Sequence, residues 1–253
     1  MKQEYAEQYA ELERGHWWFQ GRRFILKRLL RREVDWGQAG KVLEIGVGPG
    51  VNLYSLYPKD VDIIGVEPDS ENARIADELG KIPVYEGTVE DLPKAAVDTT
   101  FDVITMFDVL EHIEDDRAAL TILKQRLNPG GRLLLTVPAY QWMWSAHDDV
   151  NLHFRRYTRG RLLQALKDAG FIVNRATYFN TWLFPAIAGV RLLAKLGPRR
   201  NPGPERVGSD FDKPSGFLNA PLRLLFASEA LFLPWVTFPF GVSLFVSARK
   251  EDS

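Results

Sequence analysis

The chain has 253 residues, enough for one α/β unit or for such a unit with an appended cap. Its 45% hydrophobic and 26% charged residues exclude a disordered or collagen-like chain. The absence of cysteine excludes disulfide scaffolds, thiolate zinc sites and cysteine nucleophiles, and a formal net charge of −1 gives no global drive toward nucleic acid.

Residues 4–13 and 21–34 read as two helices separated by a turn at Gly15. The second carries a broad apolar face of Phe24, Ile25, Leu26, Leu29 and Leu30. From residue 41 the pattern changes to alternating strands and helices. Strands are expected at 42–45, 61–66, 82–85, 101–107, 132–137 and 171–178, with a last one near 241–248. Helices are expected at 70–79, 115–127 and 158–169. Asn128-Pro129-Gly130-Gly131 stops the second of these, and Thr158 caps the third. Such alternation argues for a mainly parallel sheet covered on both faces. Residues 181–196 and 217–233 are two very apolar helical segments. The Pro-, Gly- and charge-rich stretch between them, Gly197 to Gly216, reads as a mobile loop.

Glu44-Ile45-Gly46-Val47-Gly48-Pro49-Gly50 follows the first strand directly. Its glycines allow a sharp turn and the approach of a ligand to the main chain. Glu67 ends the second strand and can accept hydrogen bonds from both hydroxyls of a ribose. The dinucleotide pattern G-x-G-x-x-G fails, because its third glycine would fall at Val51. An acidic residue ahead of the first glycine also suits an ammonium or sulfonium ligand better than a pyrophosphate.

These residues resemble the class I S-adenosylmethionine-dependent methyltransferases. Glu44, Gly46, Gly48 and Gly50 match the family's acidic-x-G-x-G-x-G motif, and Glu67 matches its acidic second motif. Phe101-Asp102-Val103-Ile104, Asp108-Val109-Leu110-Glu111-His112 and Leu127-Asn128-Pro129-Gly130-Gly131-Arg132-Leu133 look like its later motifs. The resemblance implies S-adenosylmethionine as cofactor, converted to S-adenosylhomocysteine. Its binding residues would be Glu44, Gly46, Gly48, Gly50, Glu67, Pro68, Thr88, Val89 and Asp108. Thr88 stands where many relatives carry an aspartate for the adenine amine. The resemblance also implies a Rossmann-like seven-stranded sheet of order 3-2-1-4-5-7-6, strand 7 antiparallel, with helices on both faces.

The four histidines fall in distinctive clusters. His16-Trp17-Trp18-Phe19-Gln20-Gly21-Arg22-Arg23 resembles the N-terminal H-W-W-F-x-x-R signature of one bacterial branch of the family. Trp17 and Trp18 are expected to lid the cofactor and Arg22 or Arg23 to bind its carboxylate. The alternative is that the aromatics staple the N-terminal helices to the sheet. A second cluster runs from Trp142 through His147 and Asp148 to His153-Phe154-Arg155-Arg156-Tyr157-Thr158, and resembles the same branch's H-D-x(4)-H-x-R-R-Y-T segment. His147 or His153, oriented by Asp148, is expected as general base, with His112 as the alternative base. Arg155 and Arg156 would grip an anionic acceptor beside Tyr157 and Trp144. The competing expectation is a buried polar staple that locks the loop. His147, Asp148 and His153 match no zinc spacing, and no metal is expected.

The expected organisation is a helical lid (1–36), a cofactor-binding core (37–180), an apolar helical cap (181–240) and a final strand (241–253). From 181 to 250, nine basic residues face four acidic ones. Such a basic, apolar pair of helices suits an anionic membrane surface, a homodimer face, a lid over a greasy substrate or ordinary core packing. Pro234, Pro239 and Gly241 argue against a membrane span between Glu229 and Arg249. The lack of cysteine and the polar N-terminal residues lead to the expectation of a cytoplasmic enzyme, peripheral at the inner membrane surface if the cap touches lipid. Methyl transfer to an O, N or C nucleophile of a small-molecule, glycan or lipid-linked acceptor is expected. A nicotinamide-dependent oxidoreductase and a non-catalytic membrane-associated binding protein remain the alternatives.

Overall fold

The computed structural model describes residues 10–80, 82–196 and 216–251. Seven strands form one sheet: β1 (Lys41–Ile45), β2 (Asp62–Glu67), β3 (Val84–Glu86), β4 (Phe101–Phe107), β5 (Leu127–Pro138), β6 (Ile172–Phe179) and β7 (Ser243–Arg249). Their order is β3-β2-β1-β4-β5-β7-β6. The first five pair in parallel, whereas β7 runs antiparallel to both β5 and β6. This is the topology that the family resemblance implies, and it contains the mainly parallel sheet that the strand and helix spacing predicts.

Alternation along the strands assigns each helix to a face, because successive side chains point to opposite sides. Leu43, Ile104, Leu133, Leu135 and Val246 pack with α4 (Lys94–Val97), α5 (Asp116–Arg126) and α7 (Arg159–Asp168). Their neighbours Val42, Val103, Leu134 and Phe245 point the other way. There they meet α1 (Trp17–Glu33), α2 (Leu53–Leu56), α3 (Ser70–Glu78) and α9 (Gly216–Ser228). Two further helices, α6 (Ala146–Val150) and α8 (Phe184–Leu196), flank these layers.

The N-terminal region differs from its sequence reading. Residues 10–15 are helical, and residues 4–9 of the expected first helix lie outside the described residues. Helix α1 begins at Trp17 rather than 21, because the His16 side chain caps it by accepting a hydrogen bond from the Trp18 amide. Gly21 is a contact point between helices. A Cβ there would stand 2.7 Å from Phe226 Cδ1, so glycine lets α9 lie against α1. The aromatic run Trp17–Phe19 carries weak helix propensity, and burial of Phe19, Ile25 and Leu26 on the sheet overrides it.

The apolar C-terminal helices divide their roles. Phe226, Ala230 and Leu233 are fully buried in the α1 face of the core. Leu193 (69%), Phe217 (76%) and Trp235 (77%) remain largely exposed. Most of the expected loop 197–216 lies outside the described residues, and Gly216 begins α9. Glu229 ties this region to the sheet. Its buried carboxylate accepts hydrogen bonds from the amides of Asn180, Thr181 and Trp182 at 2.6–2.8 Å, where the chain leaves β6. No helix among the described residues is long and apolar enough to cross a membrane.

Candidate active site

The carboxyl ends of β1, β2 and β4 gather the first group of residues. Beyond β1 the chain turns through Gly46, Gly48 and Gly50, all at positive φ. A side chain at Gly46 would collide with Val109, 2.3 Å away, whereas at Gly48 it would meet nothing within 4 Å. Gly46 is therefore required by packing. Gly48 combines a left-handed backbone with open space, which is what close approach of a ligand demands. The Gly48 amide donates to Glu67 Oε2 (2.8 Å), and the Asp69 amide donates to Glu67 Oε1 (3.1 Å). The acid at the end of β2 thus holds the glycine loop while each oxygen keeps further acceptor capacity.

Three buried carboxyls cluster here: Glu13, Glu44 and Glu67. The Tyr57 hydroxyl shares a hydrogen bond of 2.5 Å with Thr105 Oγ1, and its closeness to Glu44 favours the ionised form of that carboxyl. The Glu44 Oε2 and Glu13 Oε2 atoms have no partner. Burial pushes Glu44 up to about 8 and Glu13 up to about 7, against the lowering effect of the Arg22 charge. Burial also raises Glu67, although two main-chain amides oppose it. Buried polar atoms without partners are uncommon and costly, so this cluster is suited to a ligand that brings donors or positive charge. Glu13 was not identified from the sequence; its position nine residues ahead of Arg22 gave no signal without knowledge of the turn at His16.

Arg22 crosses this group from α1. It forms an ion pair with Asp108 (2.7 Å), donates to Thr136 Oγ1 (3.1 Å) and lies over the rings of Trp18 and Phe107. Its Nε atom has no partner. Asp108 adopts φ +57, a left-handed conformation that an aspartate tolerates better than most residues, and its amide donates to the Thr136 carbonyl. Trp18 therefore borders the carboxylate group. The Trp17 ring packs edge-on against Phe226, and its amide donates to Asn219 of α9. Arg23, the other candidate for the cofactor carboxylate, donates to the Glu13 carbonyl (2.7 Å). Pro68 and Thr88 are exposed, and the Thr88 hydroxyl accepts from the Asp91 amide (3.1 Å). The Val89 side chain lies in the core. An open cleft of about 320 Å³ lies beside Arg14, Gly50, Tyr54 and Leu79. No carboxylate lines it, so it offers a cationic ligand no acidic partner.

The second group lies beyond β4 and β5. Asp148 is fully buried. It accepts from Arg156 Nε (2.7 Å) and Nη2 (2.9 Å), from the Ser145 amide (2.8 Å) and from His153 Nδ1 (2.9 Å). Burial alone would raise its pKa, but the bonds from His153 and Arg156 hold it well below the usual carboxylate range. Arg155 donates to the carbonyls of Ile113 (2.8 Å) and Glu114 (2.5 Å), and the Tyr157 hydroxyl donates to Asp116 (2.8 Å).

Three expectations are corrected here. Arg155 and Arg156 are buried and engaged within the protein, so they do not present free guanidinium groups to an anionic acceptor. Tyr157 is fully buried and lines no open site. The sequence could not separate an anion-binding pair from a buried staple, because both require arginines beside acids. The histidines fare differently. The rings of His112 and His153 meet edge to face at 4.6 Å, and the His147 ring is 6.1 Å from that of His153. His112 keeps an exposed edge, yet the atoms crowded around it and the neighbouring His153 pull its pKa down to about 4. Trp144 sits at the rim and donates from its indole to Asp149 (2.9 Å).

Comparison with known proteins identifies the family. A methyltransferase-domain family model matches residues 16–175. An uncharacterized methyltransferase of Schizosaccharomyces pombe is 30% identical over 57% of this chain and 61% of its own length. The mitochondrial ubiquinone biosynthesis O-methyltransferase of the same yeast is 31% identical over 42% of this chain and 40% of its own. The chain thus spans less than two thirds of these curated relatives. An S-adenosylmethionine-dependent methyltransferase structure from Mesorhizobium loti superposes with a TM-score of 0.56 at 17% identity, covering 87% of this chain and 95% of that one. The open glycine turn, the acid closing β2 and a family match over more than half of the sequence lead to one assignment: the chain belongs to the methyltransferase-domain family, whose cofactor is S-adenosylmethionine.

Proposed function

We propose that the protein transfers a methyl group from S-adenosylmethionine to an oxygen of a small-molecule acceptor that carries an apolar portion. The observation that carries this reading is the set of buried, under-bonded groups beside Gly48: Glu13, Glu44 and the Nε of Arg22. The cofactor offers a sulfonium, an ammonium, a carboxylate and two ribose hydroxyls. Glu67 suits the hydroxyls, the open backbone at Gly48 admits the ligand closely, and Arg22 suits the carboxylate if Asp108 shares it. When bound, S-adenosylmethionine supplies the methyl group. The chain's own contribution is to align the acceptor and to stabilise its oxygen as the proton leaves.

His112 and His153 are the groups we assign to the acceptor side, with His147 flanking them and Asp148 fixing the orientation of His153. An oxygen acceptor follows the chemistry in the name of the yeast O-methyltransferase relative. An apolar portion follows from the exposed Leu193, Phe217, Leu224 and Trp235, with the Arg32 guanidinium 5.6 Å over the Trp235 ring. The same surface supports contact with lipid, with residues 181–240 acting as a cap and 1–36 as a lid. We place the chain in the branch with the H-W-W-F-x-x-R signature, on His16 as helix cap and Arg22 as partner of Asp108. The test is calorimetry with S-adenosylhomocysteine, followed by a labelled-methyl screen of lipid, glycan and small-molecule extracts. Labelled, alkali-stable ethers in the lipid fraction are expected. Failure to bind S-adenosylhomocysteine would overturn the reading.

A further inference from the structure

We propose that Glu111, His112 and His153 form a binding site for a first-row divalent cation of the zinc class. One carboxylate oxygen and two imidazole nitrogens from these residues lie within 4.8 Å of one another. Two segments bring them together: the turn Leu110–His112 after β4 and the loop after α6. The Phe154 amide donates to the Glu111 carbonyl (2.8 Å) and fixes one segment against the other.

Glu111 supplies the second, independent observation. It is 1% exposed, and its Oε2 is buried without any hydrogen-bond partner. A buried carboxylate oxygen left in that state is costly unless something positive meets it. One of the two imidazoles is also prepared on its far side. His153 has Nδ1 on the buried Asp148 carboxylate (2.9 Å), which leaves Nε2 for a cation. Ligand histidines generally use their second nitrogen in this way, on a carboxylate or a main-chain carbonyl.

The donor set decides the class of ion. Two nitrogens and one oxygen suit zinc and its first-row neighbours, whereas magnesium and calcium prefer oxygen shells. Ligands at about 2.0–2.2 Å from a tetrahedral ion stand about 3.4 Å apart, so the three donors must draw inward on binding. Three protein ligands leave a fourth position for water or an acceptor oxygen. Such a cation would occupy the ring nitrogens that a histidine base needs, so the two roles exclude each other. The site thus replaces the histidine-base role given to His112 and His153 in the proposed function, and leaves the binding of S-adenosylmethionine at the glycine loop as a separate question.

The full chain, stripped with chelator, should be titrated with Zn²⁺ and, separately, with Mg²⁺ by calorimetry, and with Co²⁺ by visible absorption. One Zn²⁺ per chain, weaker Mg²⁺ and a Co²⁺ d–d band are expected. His112→Ala and His153→Ala should each weaken Zn²⁺ at least about tenfold, since loss of even an outer-shell partner commonly costs that much. Glu111→Gln should do the same; if it fails to fold by circular dichroism, the exposed-edge His112→Ala variant carries the test. No saturable Zn²⁺ uptake, or uptake unchanged in both histidine variants, overturns the proposal. S-adenosylhomocysteine binding by the stripped protein separates the readings. Binding without any zinc site removes the metal alone, and zinc uptake without S-adenosylhomocysteine binding removes the methyltransferase reading alone.

Discussion

The glycine-loop side and the histidine-loop side of the sheet edge are both rich in buried charge, and they treat it in opposite ways. Around Asp148 every oxygen is bonded, to Arg156, His153 and Ser145. Around Gly48, Glu13 and Glu44 each keep a buried oxygen without a partner, and Arg22 keeps a buried nitrogen in the same state. A saturated network fixes one geometry. An under-bonded one leaves part of its free energy to be recovered when a ligand arrives. The Asp148 network is therefore built as scaffold, whereas the acids around Gly48 are suited to receive a ligand.

The comparison breaks most sharply at Asp148. Replacing it by alanine leaves Arg156 buried and unpaired, and breaking a buried pair in this way costs about 3–5 kcal/mol. Denaturant unfolding of Asp148→Ala should show a loss of that size. If the loss is under about 1 kcal/mol, as for an exposed pair, the network is not a scaffold.

The receptor side should reveal itself through pH. Glu44 titrates near 4.5 in an unfolded chain and at about 8 when buried, so the folded protein holds this proton more tightly. The stabilisation is complete below about pH 4.5 and is lost as pH rises to about 8, at up to about 1.4 kcal/mol per pH unit for a single group. Glu13, pushed to about 7, adds to the same decline. Unfolding of the ligand-free protein at pH 5, 7 and 9 should show stability falling with pH, and Glu44→Gln should flatten the fall. A wild-type profile that rises with pH over this window would contradict the protonated state.

Smaller effects sharpen the contrast. Glu67→Ala should weaken S-adenosylhomocysteine at least tenfold in calorimetry, about 1.4 kcal/mol, while destabilising the fold less than Asp148→Ala. Gly48→Ala should cost the free protein about 1–2 kcal/mol for its left-handed backbone, with no clash against the protein itself. Its effect on ligand affinity should be larger than on the melting temperature. Equal losses in both would make Gly48 a structural glycine.

Much of the sheet was legible in the sequence because strand alternation and glycine stops act locally. Phe101–Phe107 and the Thr158 cap lie where the pattern places them. The receptor acids were half legible. Glu44 and Glu67 sit at strand ends, where short-range motifs reveal them. Glu13 and the unpartnered oxygen of Glu111 become visible only when distant segments meet. The same limit explains the arginines. Arg155 reaches Ile113 and Glu114, some forty positions earlier in the chain, and no local pattern records that pairing. The start of α1 was missed because tertiary burial of Phe19 outweighs the weak helix propensity of the aromatic run.

The place of β7 between β5 and β6 has a consequence for the order in which the molecule is made. Ribosomal synthesis delivers β6 well before Ser243, the first residue of the strand that joins β6 to the sheet. Until then β5 and β6 each present an open edge. Contacts of such long sequence separation form slowly, and unpaired edges invite aggregation while they wait. The nascent chain therefore passes through its most vulnerable state late, when nearly all of its core residues are already outside the ribosome and only the last strand is missing.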